Sequence, residues 1–367
     1  MQKQKSLLIR SVAVTFGLIF SAASLPAYSG EAAPSRVTIM TYNVENLFDT
    51  VHDENRDDYA YLPLSVKKSM PDLKEHCAKM GSDFYIKECM ELDWSDAVLD
   101  TKLTRIADVM KQIGNGKGPD IQIFAEVENQ RVLEILNKKR LQGMGYQTVV
   151  LIEGPDNRGI DPGIISRFPQ WRPAKLHLVP YKGKNENEQR MGDRSRGILE
   201  VDLLLPDGQK LAVFAVHFPS QSNPGYLREQ AITHLTKLMT ELPSDVIAVA
   251  GGDFNVTSDE DKATGYYDKI LRSEVLVSHQ VGCKACKGSY YYHSQKQWSF
   301  FDVLAFSKSV DASNRPSKWH LDTASIRTPN DAAQQKNKWG EPLRFDPETG
   351  FGVSDHWPMY AELVTGN

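Results

Sequence analysis

The chain has 367 residues, of which 41% are hydrophobic and 25% are charged. This composition is ordinary for a globular protein, and a chain of this length buries about three quarters of its unfolded surface. It excludes a fibrous repeat, a wholly disordered chain and a polytopic membrane protein. The net charge of −4 also excludes a strongly basic nucleic-acid coat, although a local basic groove stays compatible with it.

The first 29 residues have the layout of a secretory signal peptide. The cations Lys3, Lys5 and Arg10 precede the apolar run Val12–Phe20, and small residues precede a cleavage site after Ser29. We expect cleavage, which leaves a secreted or periplasmic chain of net charge −7 without stable membrane association. The alternative is an uncleaved anchor, but the apolar run is short for a span of about 20 residues.

Export changes the interpretation of the four cysteines, because an oxidising compartment favours disulfides over thiols. Four cysteines allow three pairings, and the sequence alone does not choose among them. We predict the local pairs Cys77–Cys89 and Cys283–Cys286. For Cys283 and Cys286, which form a CxxC motif, a redox site or half of a zinc site is the alternative.

Val37–Tyr42 is the first predicted strand of a single mature domain covering residues 35–365. The polar and acidic segment Thr50–Asp100 is predicted to be irregular. We interpret residues 50–98 as an insertion that the first cysteine pair pins. The acidic run His52–Asp58 predicts a surface loop, with a structural Ca²⁺ site as the alternative.

Three helices follow from apolar periodicity and capping residues. Apolar residues recur at three- and four-residue steps from Leu99 to Ile113 and stop before Gly114–Gly116, which predicts an amphipathic helix. Asn129 is expected to cap a second helix, which continues to Leu141. Pro224 begins a third helix, whose apolar side consists of Ala231, Leu235, Leu238 and Leu242.

Eight further strands are predicted. Two of them are continuous apolar runs, typical of strands buried on both faces. The eight are Ile121–Ala125, Tyr146–Ile152, Gly163–Ser166, Gly197–Leu205, Leu211–Val216, Val246–Ala250, Phe301–Phe306 and Trp357–Val364.

Polar residues stand where several of these apolar strands end. In a mixed α/β sheet such ends converge at one edge, so these side chains are expected to share a cleft. Carboxylates, asparagines and histidines together favour a hard divalent cation such as Mg²⁺ or Mn²⁺ over zinc. The residues concerned are Asn43, Glu45, Glu126, His217, Asp253, Asn255, Asp302, Asp355 and His356.

The order and spacing of these groups resemble the endonuclease/exonuclease/phosphatase superfamily across residues 36–364. The resemblance implies a four-layer α/β/β/α sandwich, in which two mixed β-sheets pack face to face with helices outside. It is carried by Tyr42–Phe48, Glu126-Val127, Ile165–Pro169, His217, Gly252–Asn255, Asp302 and Ser354–His356.

The resemblance also implies roles for individual residues. Glu126 would hold the Mg²⁺ with Asn43 beside it, and Asp355 would be a further carboxylate on the metal side. Asp253 would orient and deprotonate the attacking water, and Asn255 would support either Asp253 or the phosphate. The phosphate contacts would be His356, His217 and Arg196, with Asp302 orienting His356.

Two positions depart from the family pattern. The position often filled by Tyr or Asp in the middle strands falls near Asp161, whose role is left open. The Gln that often precedes the metal-binding Glu is Ala125 here.

The segment with Tyr290–Tyr292 is not part of the superfamily core. Its rings would either stack on a base or another ring, or pack in a surface loop.

The segment Tyr181–Arg196 carries a net charge of +2 in an otherwise acidic chain. Its Arg190 and Arg194, with Arg196, are candidate phosphate contacts. A cationic segment at the cleft would guide a polyanion by its phosphates without reading sequence. The alternative is a solvated charged loop.

Taken together, these residues predict a secreted, Mg²⁺- or Mn²⁺-dependent phosphoesterase, monomeric and acting as a nuclease on phosphodiesters. The alternative within this fold is a phosphatase or phospholipase acting on inositol phosphates or sphingomyelin. A non-catalytic binding protein on the same scaffold is the alternative of another class. It is disfavoured because every core position holds a chemically competent residue.

Overall fold

The computed structural model describes residues 35–271, 274–313 and 317–366, so the predicted signal peptide lies outside the described residues. In chain order the strands are β1 (Arg36–Leu47), β2 (Ile121–Val127), β3 (Thr148–Leu151), β4 (Asp161–Ser166), β5 (Lys175–His177), β6 (Ile198–Leu204), β7 (Lys210–His217), β8 (Val246–Asp253), β9 (Val275–Val277), β10 (Tyr290–Tyr292), β11 (Gln297–Ser299), β12 (Asp302–Ser307), β13 (Trp319–Arg327) and β14 (Met359–Thr365).

The helices, in the same order, are α1 (Leu64–Lys67), α2 (Leu73–Cys77), α3 (Asp83–Glu91), α4 (Asp96–Met110), α5 (Gln130–Arg140), α6 (Glu186–Asp193), α7 (Gly225–Thr240), α8 (Ser258–Thr264) and α9 (Ser278–Val281). Asn129 caps α5, as predicted, by accepting a hydrogen bond from the Val132 N–H. In the part of the chain that the structure describes, no helix is long and apolar enough to cross a membrane.

Two six-stranded sheets form the body of the molecule. One has the strand order β13-β14-β1-β2-β4-β3 and the other β5-β6-β7-β8-β12-β9. Within them β1 pairs with β2, and β7 with β8, in parallel, whereas the other neighbours are antiparallel. Both sheets are therefore mixed.

The largest hydrophobic core lies between the sheets, since it joins Ile39 and Ile121 of the first to Val213 and Val249 of the second. A second core packs the outer face of the first sheet against α4 and α5. A third packs the outer face of the other sheet against α7. The predicted four-layer α/β/β/α sandwich is confirmed.

Strand β7 has a continuous apolar sequence because both of its faces are buried. Its residues Leu211 and Val213 enter the core between the sheets, while Ala212 and Phe214 face α7. Side chains alternate between the two faces of a strand, so a strand covered on both faces requires apolar residues at every position.

The insertion was predicted to be irregular, and this was wrong. It contains α1, α2 and α3, which pack around their own small core of Tyr59, Leu62 and Leu73. The bond Cys77–Cys89 crosses this core, as predicted. Too few apolar residues are spaced at helical intervals for such short helices to be visible in the sequence. Helix α4 already begins at Asp96, capped by Ser95.

Four short strands (β5, β9, β10 and β11) and the edge strand β13 were not predicted. The short ones have only three residues each, too few to show an alternating pattern. In β13 only Trp319, Leu321 and Ile326 are buried, and polar residues separate them.

Gly252 allows β8 to approach β7 just before the site. Its φ is +147°, and an added Cβ would lie 1.9 Å from the carbonyl oxygen of Val216. A side chain at this position would therefore separate the two strands. The residue that follows is Asp253, so the glycine places that carboxylate close to the end of β7.

Candidate active site

Three predicted site residues lie in one row across the second sheet. Asp253 at the end of β8 is in register with His217 on β7 and with Asp302 on β12. Neighbouring strands are about 4.8 Å apart, so the register alone brings the three side chains together. The prediction that polar strand ends converge is confirmed for this sheet.

The first sheet contributes Asn43 from β1 and Glu126 from β2. Asn43 is in register with Ala125, and the pairing of β1 and β2 is irregular from that point. Glu126 has a left-handed φ of +63°, as has Asn255 at +54° beyond β8. Such φ values are uncommon for residues other than glycine and cluster at functional sites. Here they turn both side chains away from regular strand directions.

The amide of Asn43 links the carboxylates of the two sheets. Its Nδ2 donates to Glu126 Oε1 and to Asp253 Oδ2, each at 3.1 Å. Its Oδ1 accepts from the Glu45 N–H at 3.0 Å. This contact fixes the orientation of the amide, because in the flipped orientation the Nδ2 group would face the Glu45 N–H and two donors would meet. Asn43 thus lies beside Glu126 as expected, but its oxygen faces away and is not presented to a metal.

His356 is held by Asp302. Its Nδ1 lies 2.7 Å from Asp302 Oδ2, and both residues are buried. Burial alone would lower the pKa of His356, but the carboxylates of Asp302, Asp253 and Asp355 together outweigh burial and raise it well above the usual range. The imidazole is therefore cationic at neutral pH. Its Nε2 is directed toward Asp253, with Oδ2 of that residue 3.9 Å away.

His217 has the opposite protonation. Burial, followed by the nearby Arg196, Arg158 and His356, lowers its pKa well below the usual range, so this ring is neutral. Its Nε2 lies 3.8 Å from Glu126 Oε1 and 3.7 Å from Asp253 Oδ2. These distances favour the tautomer with the proton on Nε2, because an unprotonated Nε2 would direct its lone pair at the two carboxylate oxygens. Its buried Nδ1 has no hydrogen-bond partner among the described residues.

Asp253 stands at the centre of the group. Burial, together with Asp302 and Glu126, raises its pKa to about 7 against the opposing effect of His356. Its Oδ1 accepts from the Asn255 N–H at 2.8 Å, and Oδ2 faces the cleft. The Asn255 side chain donates to the carbonyl of Phe218. A pKa near 7 suits a carboxylate that must accept a proton near neutral pH.

Glu126 is the carboxylate best placed to hold a metal ion. Its side chain is 19% exposed, and its oxygens accept from Asn43 Nδ2 and from the Asn46 N–H. Within the described residues no three His, Cys, Asp or Glu side chains could enclose a metal by themselves. Mg²⁺ commonly binds through one or two carboxylates together with water and substrate phosphate, so one accessible carboxylate fits it.

Asp355 lies beside His356, with Oδ1 at 3.9 Å from Nε2 of that ring. Its other oxygen pairs with Arg344 at 3.3 Å, and Arg344 also binds Glu45. Burial and Asp355 raise the pKa of Glu45 to about 7. The structure thus adds Arg344 to the site, and it ties Asp355 to a guanidinium. No sequence signal pointed to Arg344, because about 300 residues separate it from Glu45.

The predicted basic residues separate into two groups. Arg196 is buried, and its Nε lies 2.9 Å from Asp156 Oδ2 and 3.3 Å from the carbonyl of Ile160. It therefore supports the site from behind rather than projecting into the cleft as a free phosphate contact. Arg190 in α6 and Arg194 at its end are exposed. They precede β6, whose first residues lie opposite the last residues of β7.

Asp161, whose role was left open, begins β4 opposite Val127. It is fully buried, and its Oδ2 accepts from the Gly154 N–H at 2.9 Å. Burial, with Asp156, raises its pKa to about 7. The carboxylate thus lies one residue from Glu126 in the strand pairing, behind the surface of the cleft.

The hairpin β10–β11 forms one wall of the cleft. Tyr290 bridges to the backbone of His356, and its ring stacks on Phe301 at 4.6 Å. The predicted bond Cys283–Cys286 precedes this hairpin. Tyr290, Tyr291, His293, Pro342, Arg344 and Asp355 line a small pocket beside His356. Of the two readings of the tyrosines, packing describes Tyr290, and all three rings remain partly accessible.

The acidic run His52–Asp58 does not support the alternative of a Ca²⁺ site. Asp53 binds Arg131 and Asn129, and Asp58 lies 2.5 Å from the ring of His52. These two carboxylates are already engaged by neighbouring side chains, which favours the surface loop of the first interpretation.

The fold resembles several solved structures at low sequence identity. A humanized TDP2 from D. rerio superposes with a TM-score of 0.55 and 16% identity, over 90% of this chain and 100% of that one. TDP2 from D. rerio complexed with a single-strand DNA product superposes with a TM-score of 0.53 and 16% identity, over 90% of this chain and 100% of that one. A mannosyl-6-phosphatase from Bacteroides thetaiotaomicron superposes with a TM-score of 0.52 and 15% identity, over 89% of this chain and 99% of that one.

No curated protein sequence matches the chain significantly. At these identities the structural matches show a shared fold and no more. The sequence profile of the Endonuclease/Exonuclease/phosphatase family, however, matches residues 72–365, which is most of the chain. Members of this superfamily hydrolyse phosphoesters and generally use divalent metal ions. The chain therefore belongs to the Endonuclease/Exonuclease/phosphatase family.

Proposed function

We propose that this protein is an exported, Mg²⁺- or Mn²⁺-dependent nuclease that hydrolyses phosphodiester bonds by in-line attack of water. One observation carries the chemistry. Asp253 Oδ2 lies 3.1 Å from Asn43 Nδ2, 3.7 Å from His217 Nε2 and 3.9 Å from His356 Nε2. A base and three hydrogen-bond donors from both sheets thus surround one small volume.

Each of these residues would have a distinct part in the reaction. Asp253 would accept the proton of the attacking water, while Asn43 and Asn255 hold its carboxylate in place. Cationic His356 and neutral His217 would each donate from Nε2 to a phosphoryl oxygen on which charge develops. Glu126 would hold the metal ion, which, when bound, would supply positive charge to the same oxygens. Asn43 would position Glu126 rather than coordinate the ion.

The substrate is proposed to be nucleic acid because the exposed Arg190 and Arg194 directly precede β6, whose first residues lie opposite the last residues of β7. The test is a screen of the purified exported protein on plasmid DNA, RNA, sphingomyelin and inositol phosphates, with Mg²⁺ and with EDTA. Metal-dependent cleavage of DNA or RNA supports the proposal. Turnover of a lipid or an inositol phosphate alone would support the phospholipase or phosphatase alternative instead.

The basic pair gives a prediction about salt. Replacing Arg190 and Arg194 together by Gln should flatten the salt dependence of DNA or RNA cleavage, because fewer cations are displaced from the phosphates on binding. Turnover of bis(p-nitrophenyl) phosphate should be unchanged. Lys237→Gln, an exposed lysine in the last turn of α7, is the control. An unchanged salt dependence in the double variant would show that Arg190 and Arg194 do not contact nucleic acid.

Export and disulfide formation give a second prediction. The first residue of the mature protein should lie near Tyr28 or Gly30. Thiol titration of the denatured exported protein should find no free cysteine, because the described residues contain both cysteine pairs as disulfides. N-terminal sequencing and reaction with an aromatic disulfide reagent measure these two properties. Met1 retained on the exported chain, or four reactive thiols, would contradict the prediction.

A further inference from the structure

One carboxylate at the edge of the cleft is shared by two guanidiniums. Asp156 Oδ2 lies 2.9 Å from Arg196 Nε and 3.4 Å from Arg158 Nη2. Asp156 Oδ1 also accepts from the Arg158 N–H at 2.8 Å. Burial would raise the pKa of Asp156, but the two arginines outweigh it and lower the pKa, so this carboxylate is ionised. The three residues together carry one excess positive charge.

This excess charge lies on the Glu126 side of the cleft. Arg158 is three residues before Asp161, which pairs with Val127 next to Glu126. Arg158 and Arg196 both interact with the charge of Glu126, and both help to lower the pKa of His217. The Arg196 side chain is 6% exposed, whereas that of Arg158 is 57% exposed. Arg158 is therefore the member of the pair that a ligand can reach.

The insertion holds the loop that carries Arg158. Arg56 Nη1 donates to the carbonyls of Asp156 at 2.6 Å and Gly154 at 3.2 Å. Its Nη2 pairs with Glu153 at 2.9 Å, and the Asp57 N–H donates to the Asn157 carbonyl at 2.8 Å. These contacts fix the backbone on both sides of Asp156. The position of Arg158 therefore depends on the insertion as well as on β4.

We propose that Arg158 is a substrate-binding residue that contacts a non-bridging oxygen of the scissile phosphate, and that Arg56 is its positioning residue. The inference rests on the proposed function. Two guanidiniums that share one carboxylate repel each other, and an anionic phosphoryl oxygen supplies the missing counter-charge. A divalent cation at Glu126 would neutralise that carboxylate, so the two guanidiniums would keep more of their positive charge for the substrate.

Calorimetric titration with inorganic phosphate, in Mg²⁺, tests this independently of turnover. Arg158→Gln should weaken phosphate binding by about 10- to 100-fold, the usual loss for a charge-assisted hydrogen bond. Arg158→Lys should be intermediate, and the thermal midpoint should stay unchanged. Arg36→Gln is the matched control, since this arginine is 61% exposed and paired with one carboxylate. It lies seven residues, about 23 Å of strand, from Asn43.

The positioning role requires a double variant. Arg56→Gln should also weaken phosphate binding, and Arg56→Gln with Arg158→Gln should bind no more weakly than Arg158→Gln alone. Additive losses would overturn the positioning role. Wild-type affinity in Arg158→Gln would overturn the contact while leaving the phosphoesterase proposal intact. Failure of the wild-type protein to bind phosphate would instead count against the proposed function itself.

Discussion

Asp253→Ala is expected to reduce kcat/KM for phosphodiester hydrolysis by about 10²- to 10⁴-fold, the usual contribution of a positioned general base. The fold should be kept, because burial and the neighbouring Asp302 and Glu126 already disfavour the ionised form of this carboxylate. EDTA should abolish the activity of the wild-type protein in the same assay, and Mg²⁺ should restore it.

The same variant has a predicted effect on stability. The pKa of Asp253 is raised from 3.8 to about 7 in the folded protein. Between these values the folded state binds the proton more tightly, so this residue makes the wild type more stable as the pH falls from 7 toward 4. That part of the pH dependence should be missing from Asp253→Ala. Urea denaturation in EDTA at several pH values measures the difference.

Two outcomes would contradict this assignment. Full activity of Asp253→Ala would show that another group deprotonates the water. Identical pH dependence of unfolding in the two proteins would show that Asp253 titrates normally. Asp259→Ala is the matched control, because this aspartate lies in the first turn of α8, outside the row of site residues.

Asp302→Asn is expected to lower kcat by about 10²- to 10³-fold, comparable to the loss of one transition-state donor. Asp302 is the first of the carboxylates that keep His356 protonated against the effect of burial. Without that charge the pKa of His356 falls, so the ring is less readily kept in its cationic, donating form. The affinity for Mg²⁺ should change little, because Asp302 contacts His356 and the Asn43 N–H rather than Glu126.

The pH profile separates this electrostatic role from a structural one. Wild-type activity should fall at alkaline pH as His356 loses its proton, and this limb should move to lower pH in Asp302→Asn. The acidic limb should move in the same direction, since Asp302 also raises the pKa of Asp253. A profile of unchanged position but lower height would indicate a merely structural defect.

A double variant tests whether the two residues act as one unit. Asp302→Asn combined with His356→Ala should be little worse than His356→Ala alone, because the carboxylate acts through the imidazole. Losses that multiply in the double variant would show that Asp302 contributes to turnover separately from His356.

The row of His217, Asp253 and Asp302 could be predicted because each follows or begins a strand with an unmistakable apolar pattern. Parallel and antiparallel neighbours then bring those positions together without any need to know side-chain contacts. The four-layer sandwich was implied by the resemblance to the superfamily, and strands such as β7, apolar from Leu211 to Val216, agree with it because both of their faces are covered.

Other parts of the site depend on contacts that no local pattern encodes. The orientation of the Asn43 amide is set by the N–H of Glu45, a residue at φ +52°. Arg196 was expected at the cleft, but Asp156 binds it from a loop about 40 residues earlier. The substrate-binding role proposed for Arg158 likewise depends on contacts of Arg56, which lies about 100 residues earlier in the insertion.

The small core of the insertion has a consequence for where the protein works. Its few apolar residues form a local unit that we expect to open at a lower free energy than the sandwich, and a crosslink closing so short a loop contributes about 3 kcal/mol. In a reducing environment this unit should exchange its amide hydrogens rapidly while both sheets stay protected. Arg56 and Asp57 directly precede the unit, so the loop of Arg158 would loosen with it. Reduction would then weaken substrate capture while leaving the sandwich folded.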